Sequence, residues 1–128
     1  MLKVYIADDS VLIRGKLKEV LEEGGTIQVI GESGDTGQAI HEIRQLAPDV
    51  VIMDIRMPGG GGLPVLVDFK ARTLDRIAII LTSFPFPQYR EVYLSAGADY
   101  FFDKTKDIQQ MTEILLALAT GDGVIHAG

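Results

Sequence analysis

The segment Val50–Gly60, VVIMDIRMPGG, is the most informative stretch of this 128-residue chain. Its first four residues are all apolar, which is typical of a short strand buried on both faces of a parallel sheet. Asp54 follows them directly, so an ionisable carboxylate lies where a buried strand ends. Ligands of open parallel sheets bind outside the carboxyl ends of the strands, and the segment therefore predicts a functional site at Asp54.

Composition and charge narrow the class of protein. With 47% hydrophobic and 23% charged residues, the chain has the composition of one globular domain and not of a disordered segment. Its apolar runs are far shorter than the ~20 residues of a membrane-spanning helix. The amino terminus meets acidic residues too early for a secretory signal, so we expect a cytoplasmic protein.

The cysteine count and the net charge exclude or disfavour several kinds of binding site. The chain has no cysteine, which excludes disulfides and thiolate metal sites. Its net charge of −6 disfavours direct contact with nucleic acid or with an anionic membrane surface, because both require a basic patch. We therefore expect protein partners or cationic ligands.

Short apolar runs alternate along the chain with longer segments of helical periodicity. The runs are Val4–Ala7, Ile27–Ile30, Val50–Met53, Ile77–Leu81 and Tyr100–Phe102. Five strands alternating with five helices predict an α/β fold with a parallel sheet and helices on both faces. We expect one domain over residues 1–120 and a tail over residues 121–128.

Local signals refine the helices. Ser10 is expected to cap the first helix. The fourth helix is expected to carry an apolar face formed by residues at spacings of three and four, Tyr89, Val92, Tyr93 and Ala96.

Polar side chains follow four of the five predicted strands: Asp8 and Asp9, then Asp54, then Thr82 and Ser83, then Asp103 and Lys104. Carboxyl ends of parallel strands meet at one edge of a sheet, so these side chains are expected to converge. Carboxylates brought together repel unless a cation shares the site. Oxygen ligands without histidine or cysteine select a hard ion, so the sequence predicts a site for Mg²⁺ or Mn²⁺.

The same groups suit transfer of a phosphoryl group to a carboxylate. Asp54 would attack phosphorus, Lys104 and the metal would offset the charge of the transferring oxygens, and the Thr82 hydroxyl would hydrogen-bond the product. The hypothesis from the residues is therefore that a covalent aspartyl-phosphate forms on Asp54.

The motifs IADDS, MDIRMPG, ILTS and GADYFFDK, in this order over nearly the whole chain, resemble the receiver domain of bacterial two-component response regulators. The resemblance implies a flavodoxin-like, three-layer, doubly wound five-stranded sheet of order 2-1-3-4-5. It implies a single-domain signalling protein that takes a phosphoryl group from the phosphohistidine of a histidine kinase or phosphotransfer protein. The fourth strand, fourth helix and fifth strand would then change and control a downstream protein partner or a relay.

The resemblance assigns roles to the acidic residues. Asp54 would be the phosphoacceptor, Asp9 a direct metal ligand and Asp8 a ligand through water. The backbone carbonyl of Arg56 would complete the protein's share of the metal shell.

It also assigns the switch. Lys104 would contact the phosphate, and Thr82 would move towards it. Phe101 stands at the position of the family's switch aromatic, which is expected to turn inward when Thr82 moves.

Three features depart from the family pattern. Thr105 stands where the family commonly has a cis proline, so the loop after Lys104 is expected to differ in geometry. Gly61 replaces a polar residue in a run of four glycines, which we interpret as a flexible turn, because no Gly-Lys-Ser/Thr follows to make a phosphate-binding loop. The segment TSFPFPQ, residues 82–88, contains two prolines that restrict the motion available to the switch loop.

Taken singly, each candidate residue has a simpler interpretation. Asp54 could cap a turn, Asp8 could cap the first helix, and Thr82 could cap the fourth. Lys104, taken alone, could be a solvated charge at the surface. Only their common position at strand ends favours a site.

Several other residues are expected to serve packing. His41 and His126 are expected at the surface, and Tyr89 and Tyr93 are expected to be half-buried. Phe84 and Phe86 are left open between core residues and an exposed docking patch.

Other functions remain open. Gly31–Ile40 and Ala47–Pro58 resemble receivers of transcription factors, so the chain could be the receiver half of a DNA-binding regulator lacking its output domain. A phosphohydrolase of the haloacid dehalogenase kind would need an acid two positions after the nucleophile, where this chain has Arg56. We therefore expect no enzyme activity beyond its own phosphorylation and dephosphorylation. A domain that is never phosphorylated is the remaining alternative.

Overall fold

The computed structural model describes residues 1–121. Its five strands are β1 (Leu2–Ala7), β2 (Ile27–Ser33), β3 (Val50–Met53), β4 (Ile77–Thr82) and β5 (Tyr100–Asp103). Its five helices are α1 (Val11–Glu22), α2 (Thr36–Leu46), α3 (Leu63–Arg72), α4 (Pro87–Ser95) and α5 (Ile108–Thr120). The strands form one parallel sheet in the order β2-β1-β3-β4-β5, which confirms the fold class.

Helices cover both faces of the sheet. Val51 and Met53 of β3 pack into a cluster with residues of α2, α3 and α4, whereas Val50 and Ile52 pack into a second cluster with residues of α1 and α5. All four side chains of β3 are at most 2% exposed. This burial on both faces explains why β3 is apolar throughout.

Hydrogen bonds continue past the strand ends at the carboxyl edge of the sheet. The amide of Asp8 donates to the Ser33 carbonyl at 2.9 Å, and the amide of Asp54 donates to the Ala7 carbonyl at 3.0 Å. The amide of Lys104 likewise donates to the carbonyl of Thr82 at 2.9 Å. The residues that follow the strands are therefore held in register with one another.

The second strand is longer than the apolar pattern predicts, because it continues past Ile30 to Ser33. The ladder with β1 shifts by one residue there, so that Val4 pairs with Val29 but Tyr5 pairs with Gly31. Such a bulge inserts one unpaired residue and reverses the alternation of the side chains that follow it. The polar sequence Gly-Glu-Ser after Ile30 is typical of a loop, and it therefore concealed the end of the strand.

The helix predictions are mostly confirmed. The Ser10 hydroxyl accepts a hydrogen bond from the Ile13 amide at 3.2 Å and caps α1 as predicted. The proposed apolar face of α4 is wrong at Val92, which is 48% exposed, whereas Tyr93 is buried. His41 is exposed, as expected, and His126 lies outside the described residues together with all of the tail except Gly121.

None of the helices in residues 1–121 has both the length and the apolar character needed to span a bilayer.

Candidate functional site

Three carboxylates meet at the carboxyl edge of the sheet. Asp8 and Asp9 follow β1 and Asp54 follows β3, and one oxygen of each lies within 4.8 Å of the others. Asp8 and Asp54 are only 3% and 4% exposed, whereas Asp9 is exposed at the rim. The structure therefore brings Asp54 together with an adjacent pair of acids that lies far from it in the sequence.

The ammonium of Lys104 lies between two of these acids. Its Nζ is 2.7 Å from Asp8 Oδ2 and 2.8 Å from Asp54 Oδ2, and the lysine side chain is 10% exposed. Lys104 is thus a buried member of the cluster, and its interpretation as a solvated surface charge is wrong. Three carboxylates and one ammonium leave two negative charges in excess.

Burial and pairing shift the protonation of the pocket. Burial lowers the pKa of Lys104, but its hydrogen bonds and charge interactions with Asp54 and Asp8 have the larger combined effect, and its pKa is raised. Burial raises the pKa of Asp8, and hydrogen bonds from Lys104 and Ser10 offset this only in part. Lys104 therefore remains a cation.

The remaining oxygens of the two buried acids are held by the backbone. Asp54 Oδ1 accepts from the Ile55 amide at 2.6 Å, and Asp8 Oδ1 accepts from the Ser10 amide at 2.9 Å. Asp8 therefore binds the residue that caps α1 but is not itself the cap. Both carboxylates are oriented before any ligand arrives.

The cluster fits a small divalent cation. It offers oxygen ligands only, and its excess of two negative charges matches the charge of Mg²⁺ or Mn²⁺. Arg56 stands two residues after Asp54, and its exposed guanidinium lies over the Phe84 ring, with Cζ 4.0 Å from the centroid. Its side chain therefore contacts the loop after β4.

Thr82 ends β4 and is completely buried. Its Oγ1 accepts a hydrogen bond from the Phe84 amide at 3.0 Å. The cap position of α4 is Phe86, without a side-chain hydrogen bond, so the interpretation of Thr82 as a helix cap is wrong. The hydroxyl holds the loop in its present form, and its own proton is not used in that bond.

The aromatic residues of the switch region occupy different environments. Phe101 is 8% exposed, and the Arg90 guanidinium lies over its ring at 5.9 Å from the centroid. Phe84 packs against the core, whereas Phe86 is 50% exposed. The structure thus has Phe101 inward, and the question left open for the two loop phenylalanines has a separate answer for each.

Thr105 stabilises the loop after Lys104 by hydrogen bonds that proline, which has neither an amide hydrogen nor a hydroxyl, could not donate. Its amide and its hydroxyl donate to Asp103 Oδ1 at 2.8 Å and 2.7 Å. These hydrogen bonds lower the pKa of Asp103. The loop therefore has its own anchoring to the end of β5.

The glycine run is tied to its surroundings. The amide of Gly62 donates to the Ile55 carbonyl at 3.2 Å, and the Thr36 hydroxyl donates to the Gly61 carbonyl at 2.8 Å. A Cβ placed on Gly62 would lie 2.2 Å from the carbonyl oxygen of Asp54. The other three glycines have φ between 77° and 132°, a backbone conformation that favours glycine. The run is therefore a turn, as predicted, and hydrogen bonds and close backbone approach fix its end.

Two residues at the rim of the site carried no recognisable signal in the sequence. Arg14 of α1 donates from Nη1 to the backbone carbonyl of Asp8 at 2.6 Å and from Nε to Glu32 at 2.7 Å. Glu32 lies in the part of β2 that the apolar pattern missed. Recognising the longer strand would have been the one way to find this pair.

Comparison with known proteins identifies the family. The model of the response regulator receiver domain matches residues 4–116. The chain is 33% identical over 124 residues to YvfU of Bacillus subtilis, named an uncharacterized transcriptional regulatory protein, with 97% of this chain and 62% of that protein covered. The chain spans 62%, 50% and 34% of the length of three curated relatives that it matches.

Solved structures agree with this match. A DNA-binding response regulator of the LuxR family from Staphylococcus aureus superposes with a TM-score of 0.84 at 27% identity, covering 93% of this chain and 99% of that one. The isolated REC domain of RcsB from Salmonella enterica serovar Typhimurium, solved in the presence of the phosphomimetic BeF3⁻, gives 0.82 at 26% identity, covering 94% and 89%. With its sheet order, its acidic pocket and these matches, the chain belongs to the response regulator receiver domain family.

Proposed function

We propose that this receiver domain accepts a phosphoryl group on Asp54 from the phosphohistidine of a histidine kinase or phosphotransfer protein, and that the modified form controls a protein partner or passes the group along a relay. The observation that carries the proposal is the pocket itself. Asp54 is buried among two further carboxylates, and Lys104 binds its Oδ2 at 2.8 Å.

The transfer needs few groups from the protein. An Asp54 oxygen forms a bond to phosphorus while the phosphorus–nitrogen bond of the phosphohistidine breaks, and the electron pair stays on the imidazole. The Lys104 ammonium offsets the charge of the transferring oxygens. In dephosphorylation, water attacks phosphorus and the Asp54 carboxylate leaves. The chain thus catalyses only its own modification and its reversal.

Asp8, Asp9 and Asp54 would hold the divalent cation, with the backbone carbonyl of Arg56 as a further ligand. Bound Mg²⁺ or Mn²⁺ would supply positive charge against the phosphoryl oxygens. Before it binds, Lys104 is the only cation paired with the carboxylates of Asp8 and Asp54 among residues 1–121. The cation and Lys104 therefore share the same two acids.

The switch would begin at Thr82. If Thr82 moves towards the phosphoryl group to donate its hydroxyl proton, the bond that this hydroxyl accepts from the Phe84 amide would be strained or lost. Phe84 also stacks with Arg56, so the loop between β4 and α4 contacts the pocket at two points. A change there would alter the face formed by β4, α4 and β5, where Phe101 and Arg90 lie.

Intact-mass spectrometry after incubation with acetyl phosphate and Mg²⁺ tests the reaction. We expect the mass of one phosphoryl group to be added to the wild-type chain and lost in Asp54→Asn. Asp49→Asn is the matched control, because Asp49 lies at the opposite edge of the sheet and accepts from the Lys3 amide. Equal uptake by Asp54→Asn would contradict the proposal, and so would a wild-type chain that neither takes a phosphoryl group from acetyl phosphate nor binds beryllofluoride.

A second candidate is the receiver half of a DNA-binding transcription factor. The match to YvfU favours it, because the chain spans 62% of that regulator. Phosphorylation on Asp54 is common to both candidates. They differ in whether an output domain follows the receiver in the complete gene product, which the mass of the natural protein in cell extracts measures.

A further inference from the structure

Arg14 is the one cationic side chain within residues 1–121 that binds the main chain of the acidic pair. Its guanidinium, only 15% exposed, turns back from α1, and Nη1 donates to the carbonyl of Asp8 at 2.6 Å. That carbonyl belongs to the peptide group that joins Asp8 to Asp9. On its other side, the Asp8 amide donates to the Ser33 carbonyl at 2.9 Å.

Glu32 fixes the guanidinium in this position. Its Oε1 accepts from Arg14 Nε at 2.7 Å. Ile27 and Val29 of β2 face the layer of α1 and α5, so strict alternation would turn Glu32 to the opposite face. The bulge in β2 reverses the alternation and brings Glu32 to the side of α1.

Gly34 makes room for the contact. A Cβ at this position would lie 2.9 Å from Arg14 Nη1, 3.1 Å from the Asp9 Cα and 3.2 Å from the Asp8 carbonyl oxygen. Its φ lies outside the left-handed region, so space and not backbone conformation accounts for the glycine. The bulge, the ion pair and the glycine thus serve one contact.

Asp9 is the residue that depends on it. Its carboxylate is exposed, and within residues 1–121 it accepts no hydrogen bond and forms no ion pair. By contrast, Asp8 and Asp54 are each oriented by a backbone amide and by Lys104. The main chain alone therefore directs Asp9 towards the cluster.

We propose that Arg14, held by Glu32, is a positioning residue that fixes the peptide between Asp8 and Asp9 and so aims the Asp9 carboxylate at the acid cluster. This inference rests on the proposed function, because it presumes that the cluster binds a divalent cation. Partners that orient metal ligands commonly affect affinity by about 10- to 100-fold.

If Arg14 acted only through its charge, its removal would strengthen the binding of Mg²⁺, because a cation beside three carboxylates would be lost. If Arg14 positions Asp9, its removal would weaken the binding. The sign of the change in affinity therefore separates the two effects.

The experiment measures Mg²⁺ affinity by titration calorimetry in Arg14→Met, which keeps the apolar stem and removes the guanidinium. We expect affinity to fall about tenfold, with a smaller fall in Glu32→Gln. Arg44→Met is the matched control, because Arg44 pairs with Asp68 on helices α2 and α3, and it should bind Mg²⁺ like the wild type.

A second readout needs no metal. The Asp8 amide is protected by its hydrogen bond to the Ser33 carbonyl, and its hydrogen exchange in the metal-free chain should be faster in Arg14→Met than in Arg44→Met. If Arg14→Met does not fold, Glu32→Gln keeps the guanidinium but weakens the bond that holds it in place, and the same two changes are expected at a smaller size.

Unchanged or tighter Mg²⁺ binding in a folded variant, together with unchanged exchange at the Asp8 amide, overturns the inference and leaves the proposed function standing. If the wild-type chain binds no Mg²⁺, the proposed function fails instead. In that case the exchange measurement still decides whether Arg14 fixes the Asp8–Asp9 peptide.

Discussion

Both edges of the sheet carry clusters of charged side chains, but the charges are balanced differently at the two edges. At the amino edge, Lys70 Nζ lies 2.7 Å from Asp99 Oδ2, and the same carboxylate oxygen accepts from the Ala78 amide at 2.8 Å. Arg76 donates to the backbone carbonyl of Pro48 at 2.7 Å. At the carboxyl edge, three carboxylates meet one ammonium.

The difference shows what marks a site. Charges at the amino edge meet opposite charges or backbone groups, and this network fastens the loops that lead into β4 and β5. Charges at the carboxyl edge remain in excess, and an excess of buried charge costs free energy unless a ligand supplies the missing sign. Imbalance, more than charge at a strand end, distinguishes the candidate site.

The largest expected effect is that of Gly62→Ala, which would break the carboxyl edge. Its Cβ would lie 2.2 Å from the Asp54 carbonyl oxygen, so the backbone must shift. We expect the free energy of unfolding to fall by about 3 kcal/mol, measured by urea denaturation. Gly15→Ala is the control, because nothing lies within 4 Å of its Cβ and alanine favours a helix by about 1 kcal/mol. Equal stability of the two variants would contradict the packing described here.

The next effect separates the edges by their role. Asp99→Ala leaves the Ala78 amide without its acceptor and Lys70 without its carboxylate. We expect the free energy of unfolding to fall by about 2 kcal/mol, because unpaired polar groups remain. Affinity for Mg²⁺ should not change. A loss of Mg²⁺ binding in a folded Asp99→Ala would show that the two edges are coupled.

Metal addition should stabilise the carboxyl edge alone. At ten times its dissociation constant, Mg²⁺ is expected to raise the free energy of unfolding by about 1.4 kcal/mol. Asp9→Asn should remove most of this gain and slightly raise the metal-free stability, because it neutralises one of three carboxylates that lie within 4.8 Å of one another. Paired urea curves with and without Mg²⁺ measure both values. A full gain in Asp9→Asn would exclude this acid as a ligand.

The smallest expected effect is that of the exposed ion pair between Arg44 and Asp68, which lies at neither edge of the sheet and serves as a reference for the other variants. A hydrogen bond from Arg44 lowers the pKa of Asp68 below its ordinary value of 3.8. The stability contributed by this pair is therefore present above that value and is lost as the pH falls through the lowered one. The difference in unfolding midpoint between the wild type and Arg44→Met should be small at pH about 6 and vanish in acid. A difference that grows in acid would have the wrong sign.

The sequence predicts the central features of the site because they are local. Four apolar residues followed by Asp54 define β3 with its observed bounds, Val50–Met53. Parallel strands place their ends at one edge, so the meeting of Asp8, Asp9 and Asp54 follows from topology. The Ser10 cap is likewise a signal within four residues of chain.

The parts that were missed depend on contacts through space. No local pattern shows that Gly62 faces the Asp54 carbonyl, or that Val92 lies on the outer side of α4. Glu32 meets Arg14 only because a bulge displaces β2 by one residue, and apolar periodicity carries no sign of a bulge. These features become visible only when the neighbouring element is in place.

The position of Lys104 indicates which strand moves when the charge of the acid cluster changes. It follows β5, the outermost strand, yet its ammonium reaches Asp8 after β1 and Asp54 after β3. The side chain thus crosses the end of β4 and links β5 to the acids that follow β1 and β3. A change of charge on these acids therefore changes the force on Lys104. Because β5 is hydrogen-bonded to a neighbouring strand on one side only, we expect the largest displacement at this edge of the sheet.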